Sequence, residues 1–255
     1  MIEKTGALIL RISGTTGELL IFLIKTLISF KEAPRNIASI MRQFSVVGAD
    51  TLPVTAVAAL FVGMVLALQT GMELAVYGTQ EVIGSIVGLS MVKELGPVMT
   101  SLLAAGRVGS AMAAEIGAMK VYEEIDALQT LEIDPVRYLA MPRMIACLVG
   151  IPALVIFSMV IGIVGGGIVS QINPVINVPM TVYFDHMGRA LSYIDIFKGL
   201  AKAVVFGAII AQVGCYVGFK TTGGARGIGE STTRSVVLAF LMIFVANYFL
   251  TRIML

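Results

Sequence analysis

Charge is scarce in this 255-residue chain: 13% of residues are Asp, Glu, Lys or Arg and 57% are hydrophobic. A soluble domain carries about a quarter charged residues, so a soluble enzyme is excluded; uncharged runs as long as these need lipid around them. The net charge of +2 gives no electrostatic basis for holding nucleic acid. Cysteine is limited to Cys147 and Cys215, both in apolar stretches. That suits small buried hydrophobes and excludes a disulfide framework or thiolate metal site. His186, beside Asp185, is the single histidine. With no clustered nucleophile or metal-ligand spacing around it, no catalytic or metal-binding residue is assigned. The G-x-x-x-x-G-K-[ST] pattern is missing, so the chain builds no P-loop for ATP phosphates. The run GGARGIG at 223–229 lacks the G-x-G-x-x-G order and reads as a flexible turn. Glu3 and Lys4 precede no compact apolar core with a cleavage site, so the start is expected to be retained.

What is present is apolar length. Thr51 to Met72 gives 22 uncharged residues, enough at about 1.5 Å per residue to cross a hydrocarbon layer of about 30 Å. Four further spans follow, giving five in all at about 50–72, 82–118, 144–171, 196–219 and 234–254. The second carries Lys93, Glu94, Arg107 and Glu115, which must face protein or water. Asn173-Pro174 breaks the long uncharged run that starts at Met144 and leaves a short segment outside the membrane. In residues 1–45, charges recur from Lys4 to Arg42 between apolar clusters, as in an amphipathic helix lying along the interface. The predicted fold is therefore an all-α integral membrane protein, an N-terminal interfacial helix followed by a five-span domain over 46–255. Thirteen of the 18 Lys and Arg fall in segments 1–50, 107–143 and 220–234, whereas the opposite connections hold only Arg189. This asymmetry predicts a cytoplasmic N-terminus and an outer C-terminus.

Residues 119–143 are the longest charged stretch. Val121, Ile125, Leu128 and Leu131 share one helical face, with Glu123, Glu124, Asp126 and Glu132 elsewhere, and Asp134-Pro135 stops the helix. A helix lying on an anionic leaflet would show basic residues on its polar face. An acidic helix over 119–133 between the second and third spans points instead to a protein partner.

Several intramembrane polar residues have two readings each. Pro97, after Gly96, cannot donate to the Lys93 carbonyl, so a kink is expected beside Lys93 and Glu94. These charges either pair to fix packing or line a hydrated cavity. Lys198 and Lys202, spaced i and i+4, either snorkel or hold a lipid phosphate. Gln69, Glu73, Leu74 and Tyr77 fall at the outer end of the first span, as interface anchors or as the lining of an exit path. Asn247 is simplest as a helix-to-helix hydrogen bond. Gly84/Gly88, Gly106/Gly109, Gly162/Gly166 and Gly214/Gly218 allow close helix approach.

The run from Leu95 to Arg143 resembles the signature region of the MlaE family of ABC transporter permeases. It does so through E-L-G-P at 94–97, A-G-R-x-G at 105–109, A-E-I-G at 114–117, E-x-I-D-A-L at 123–128 and D-P-x-R-Y at 134–138. The similarity continues to T-T-R at 232–234 and is least diagnostic over the first 45 residues. The resemblance implies a non-catalytic permease subunit of the inner membrane that moves phospholipids between inner and outer membranes and maintains outer-membrane lipid asymmetry. It implies a homodimer, a cytoplasmic ATPase that uses the ATP, a periplasmic MCE-domain lipid-binding protein and a STAS-domain protein, with no cofactor in this chain. Residues 119–133 would be the coupling helix, with Val121, Glu123, Glu124, Ile125, Asp126 and Leu128 meeting the ATPase. Gln69, Glu73, Leu74, Tyr77, Lys93, Glu94 and Lys202 would face the lipid cavity. An ion-coupled carrier using Lys93, Glu94, Glu115 and Lys202 as a relay is the alternative, though no inverted repeat is visible.

Overall fold

The computed structural model describes residue 14 and residues 17–254 and is helical, with no strand among them. Lys4 and Arg11 of the basic N-terminal segment lie outside the described residues. Among the described residues, five helical stretches are long and apolar enough to cross a membrane: Ile37–Val76, Gln80–Val121, Val136–Ile172, Tyr193–Phe219 and Gly224–Met254. The count of five agrees with the sequence pattern.

The entry to the first span differs from a single interfacial helix over 1–45. Residues 17–28 form α1, Ser29–Asn36 winds into a tight 3-10 turn containing Pro34, and Ile37–Val47 forms α2. Pro34 lacks an N–H and cannot continue an α-helix. α2 lies against the third span, where Val47 is fully buried against Gly150. α1 is tied down by its backbone as well as its side chains: Gln212 Nε2 donates to the Leu19 carbonyl at 2.8 Å.

α3, Leu52–Val76, is an unbroken 25-residue helix. Its buried residues are Thr55, Ala59, Gly63, Ala67 and Gly71, a stripe of small side chains at every fourth position that lets the backbone of α8 approach. The contact is close: a Cβ on Gly63 would lie 1.9 Å from the Gly162 carbonyl oxygen.

The second crossing is one continuous helix in three α-helical pieces: α4 (Ile83–Ser90), α5 (Gly96–Ala104) and α6 (Ser110–Val121). Wide π-turns, Met91–Leu95 and Ala105–Gly109, join them. The expected proline kink thus appears as a π-turn that ends just before Gly96-Pro97; the extra residue absorbs the donor that proline lacks. A third π-turn, Val136–Ala140, precedes Pro142 in the same way and opens α8, Met141–Ile172.

The segment after Asn173-Pro174 contains α9, Met180–Ala190, which packs on α4. Tyr183 is fully buried and donates to the Ile163 carbonyl at 3.1 Å. Gly84 and Gly88 face Tyr183 and Met187 of this helix. α10, Tyr193–Phe219, runs through the interior against α6, α8 and α11, and α11 is Gly224–Met254. Gly214 and Gly218 of α10 meet Gly109, Met112 and Ile116. Nothing among the described residues lies within reach of a Cβ on Gly106, so the close approach expected there does not occur among them.

Candidate functional site

The π-turn Met91–Leu95 places the backbone and side chains of Lys93 and Glu94 against α10 and α11, where they build a polar cluster. Pro97 leaves the Lys93 carbonyl without its helical donor, and Lys202 Nζ supplies one at 2.9 Å. The same ammonium donates to Glu94 Oε1 at 2.6 Å and Thr251 Oγ1 at 2.8 Å. All three of its donors are used, which offsets the cost of holding a lysine that is only 3% exposed. Thr251 Oγ1 donates on to Glu94 Oε1 at 2.9 Å, and Asn247 Nδ2 donates to Glu94 Oε2 at 3.0 Å. Asn247 is therefore the interhelical hydrogen bond its position suggested. Lys93 reaches sideways to Asp195 Oδ1 at 2.9 Å, and Asp195 also accepts from the Ser192 backbone at the start of α10.

A cavity of about 70 Å³ opens beside this cluster, lined by Lys93, Glu94, Lys198, Lys202, Thr251 and Met254. Three ammonium groups and two carboxylates, those of Glu94 and Asp195, leave one positive charge in excess. Lys202 does not snorkel but is buried and locked in packing, while Lys93 and Glu94 combine their two readings, paired yet 44% and 38% exposed beside the cavity. Such a wall attracts an anion.

The other candidates on the first span lie elsewhere. Gln69, Glu73 and Tyr77 are exposed along the end of α3, Leu74 packs partly against the core, and none of the four lines the cavity. The structure does not bring them together with Lys93, Glu94 and Lys202 into one pocket.

At the opposite end of the second crossing, the acidic segment is shorter than the predicted 119–133 helix. Val121 is the last residue of α6, Glu123 adopts φ 61°, and α7 covers only Glu124–Thr130. Glu132 at φ 60° marks the exit. These left-handed residues turn the chain back so that Ile125 inserts into the core and Leu128 packs beside it. Glu123, Glu124 and Asp126 stay exposed, with Asp126 paired to Lys120 at 2.9 Å. Leu131, expected on the buried face, is 69% exposed and Tyr122 is 71% exposed. The segment thus offers carboxylates and two apolar tips to a partner.

Two residues that sequence reasoning gave no role brace this end. Arg143, 6% exposed, binds Glu115 Oε2 at 2.7 Å and donates to the Leu139 carbonyl at 2.8 Å. This joins the two spans that flank α7. Arg107, in the second π-turn, donates to the Val46 carbonyl at 3.2 Å and Thr51 Oγ1 at 2.8 Å, fixing the corner between α2 and α3. The signal for both was the cost of an arginine at a span end; the partners are too distant in sequence to be read from it.

Five apolar crossings, a partly buried charged cavity near one end and an exposed acidic segment at the other define a transporter's membrane body. The chain belongs to the MlaE permease family: the model of Permease MlaE matches residues 40–253. A probable ABC transporter permease protein of Synechocystis is 43% identical over 86% of this chain and 82% of its own length. One from Rickettsia typhi is 39% identical over 96% of this chain and 94% of its own. The chloroplastic protein TRIGALACTOSYLDIACYLGLYCEROL 1 of Arabidopsis thaliana is 38% identical over 83% of this chain and 60% of its own length. The protein is an ABC transporter permease, a subunit type that works with an ATPase partner.

Proposed function

We propose that this permease moves phospholipids between the inner and outer membranes of a diderm envelope and so maintains outer-membrane lipid asymmetry. The observation that carries the reading is the cavity lined by Lys93, Glu94, Lys198 and Lys202, where three ammonium groups against the carboxylates of Glu94 and Asp195 leave an excess positive charge that suits a phosphate headgroup. The plant relative, whose name contains a galactolipid, supports a lipid substrate. Gln69, Glu73, Leu74 and Tyr77 would guide the lipid at the outer edge of α3. The permease works as a homodimer in the inner membrane, with its N-terminus cytoplasmic and its C-terminus periplasmic. A cytoplasmic ATPase pair docks on the segment around α7, where Glu123, Glu124 and Asp126 are exposed and Ile125 and Leu128 anchor it to the body. A periplasmic MCE-domain protein hands lipid on, and a STAS-domain protein completes the complex. The permease itself needs no cofactor, since ATP is consumed by the partner.

The test is transfer of a labelled phospholipid by the complex reconstituted in liposomes. Transfer should require ATP and fail in E123K/E124K, with the permease still inserted and folded. Transfer by the permease alone, without nucleotide, would overturn the reading.

A further inference from the structure

A second cleft lies at the opposite end of α10, 18 residues from Lys202 and so about 27 Å away along the helix. Its volume is about 380 Å³, and it is lined by Glu18, Ile21, Phe22, Lys25, Val136, Tyr216, Phe219 and Lys220. The walls are aromatic: the Phe22 ring meets those of Tyr216 and Phe219 edge-on at 6.1 and 5.7 Å. The polar groups are unequally committed. Glu18 is engaged by the Lys220 ammonium and accepts from the Tyr216 hydroxyl at 2.6 Å. Lys25, exposed on the same face of α1, pairs with no carboxylate among the described residues. The cleft therefore carries one uncompensated positive charge at its rim. Leu20, Ile21, Ile24 and Ile28 make α1 apolar on its exposed side, so the cleft opens where that helix meets the bilayer surface.

We infer that this cleft holds an anionic phospholipid of the surrounding leaflet, separate from any transported lipid, with its phosphate at Lys25 and Lys220 and an acyl chain against Phe22, Phe219 and Val136. The lipid fills the space between α1 and α10 and seats the N-terminal helix on the spans. A soluble phosphate would gain the lysines alone; the apolar and aromatic wall is what selects a lipid.

The chain has no tryptophan, so Phe219→Trp in the full-length protein is a single reporter inside the cleft. In phosphatidylcholine liposomes, phosphatidylglycerol brominated on its acyl chains should quench this tryptophan at about fivefold lower mole fraction than brominated phosphatidylcholine or diacylglycerol. That factor corresponds to about 1 kcal/mol for one lysine at an anionic surface. K25A should erase the preference and K25R restore it, while R189A, an exposed basic residue on α9 outside both cavities, leaves it intact. Equal quenching by all three brominated lipids, or a preference that survives K25A, overturns the inference. Displacement of the brominated lipid by millimolar glycerol phosphate would also overturn it, by making this a soluble-phosphate site.

Discussion

The first and second crossings differ more than their apolar content suggests. α3 is a regular helix whose single charge, Glu73, lies in its last turn; one side is a stripe of small residues against α8, and Val57, Phe61, Val65 and Met72 are exposed on the other. The second crossing carries Lys93, Glu94, Arg107 and Glu115, and each of these has a partner on another helix. It also leaves the regular α-helical path twice, at the π-turns that hold Lys93, Glu94 and Arg107. The lesson is one of solvent. A helix facing lipid must satisfy its backbone internally and so stays regular, whereas one surrounded by protein can release a carbonyl because a neighbouring side chain will bind it. Lys202 on the Lys93 carbonyl and Ser235 on the Gly109 carbonyl, one in each π-turn, are instances.

The sharpest way to break this contrast is K202A, which strands the Glu94 carboxylate and the Lys93 carbonyl. A loss of about 3 to 5 kcal/mol is expected, read as a large drop in thermal unfolding temperature in detergent. The double variant K202M/E94L should recover much of it, because a buried pair replaced by apolar groups is often neutral. G63A comes next: its Cβ would strike the Gly162 backbone, and overpacking of about 1 to 3 kcal/mol should appear in the same assay. Y183F, which loses the hydrogen bond to Ile163, should cost about 1 kcal/mol. F61L on the exposed side of α3 should change stability by less than about 0.5 kcal/mol. A value as large as that of K202A would show that this face is covered by protein.

The α1 attachment adds a pH dependence. The Lys220 ammonium and the Tyr216 hydroxyl hold the Glu18 carboxyl below its ordinary 4.5. Bonding to Glu18 in turn raises Lys220 above its ordinary 10.5. A lowered carboxyl contributes stability above its unfolded value and loses it as pH falls through the folded one. A raised ammonium contributes below its unfolded value and loses it as pH rises through the folded one. The contact should therefore hold across neutral pH and loosen only in acid well below 4.5 or base above 10.5, as hydrogen exchange of residues 17–28 would report.

Much of the architecture was legible because hydrocarbon thickness fixes span length. The five crossings, the break at Asn173 and the acidic segment all appear near their expected places. The charges of the second crossing announced that they needed partners, and Asn247 that it bonds to another helix; that Lys202 is the lysine buried against Glu94 was not legible. What could not be read was where a local bend cancels an expectation. Pro97 predicted an irregularity in the helix, but not that it would take the form of a π-turn over Met91–Leu95. Residues 119–133 had helical periodicity throughout, but left-handed Glu123 and Glu132 cut the helix to Glu124–Thr130. Gln69, Glu73 and Tyr77 shared a face without sharing a cavity.

Composition and hydrophobic run length by themselves determined that this is a helical membrane protein with five long apolar spans, because burial of uncharged backbone in lipid leaves few alternatives. The motif from Leu95 to Arg143 then indicated the family. Only the tertiary structure decided which charges meet: Lys202 with Glu94, Arg143 with Glu115 and Lys220 with Glu18 lie 108, 28 and 202 residues apart in the chain. Pairings at such separations depend on how helices pack side by side, and a one-dimensional pattern of polar and apolar residues does not encode that choice.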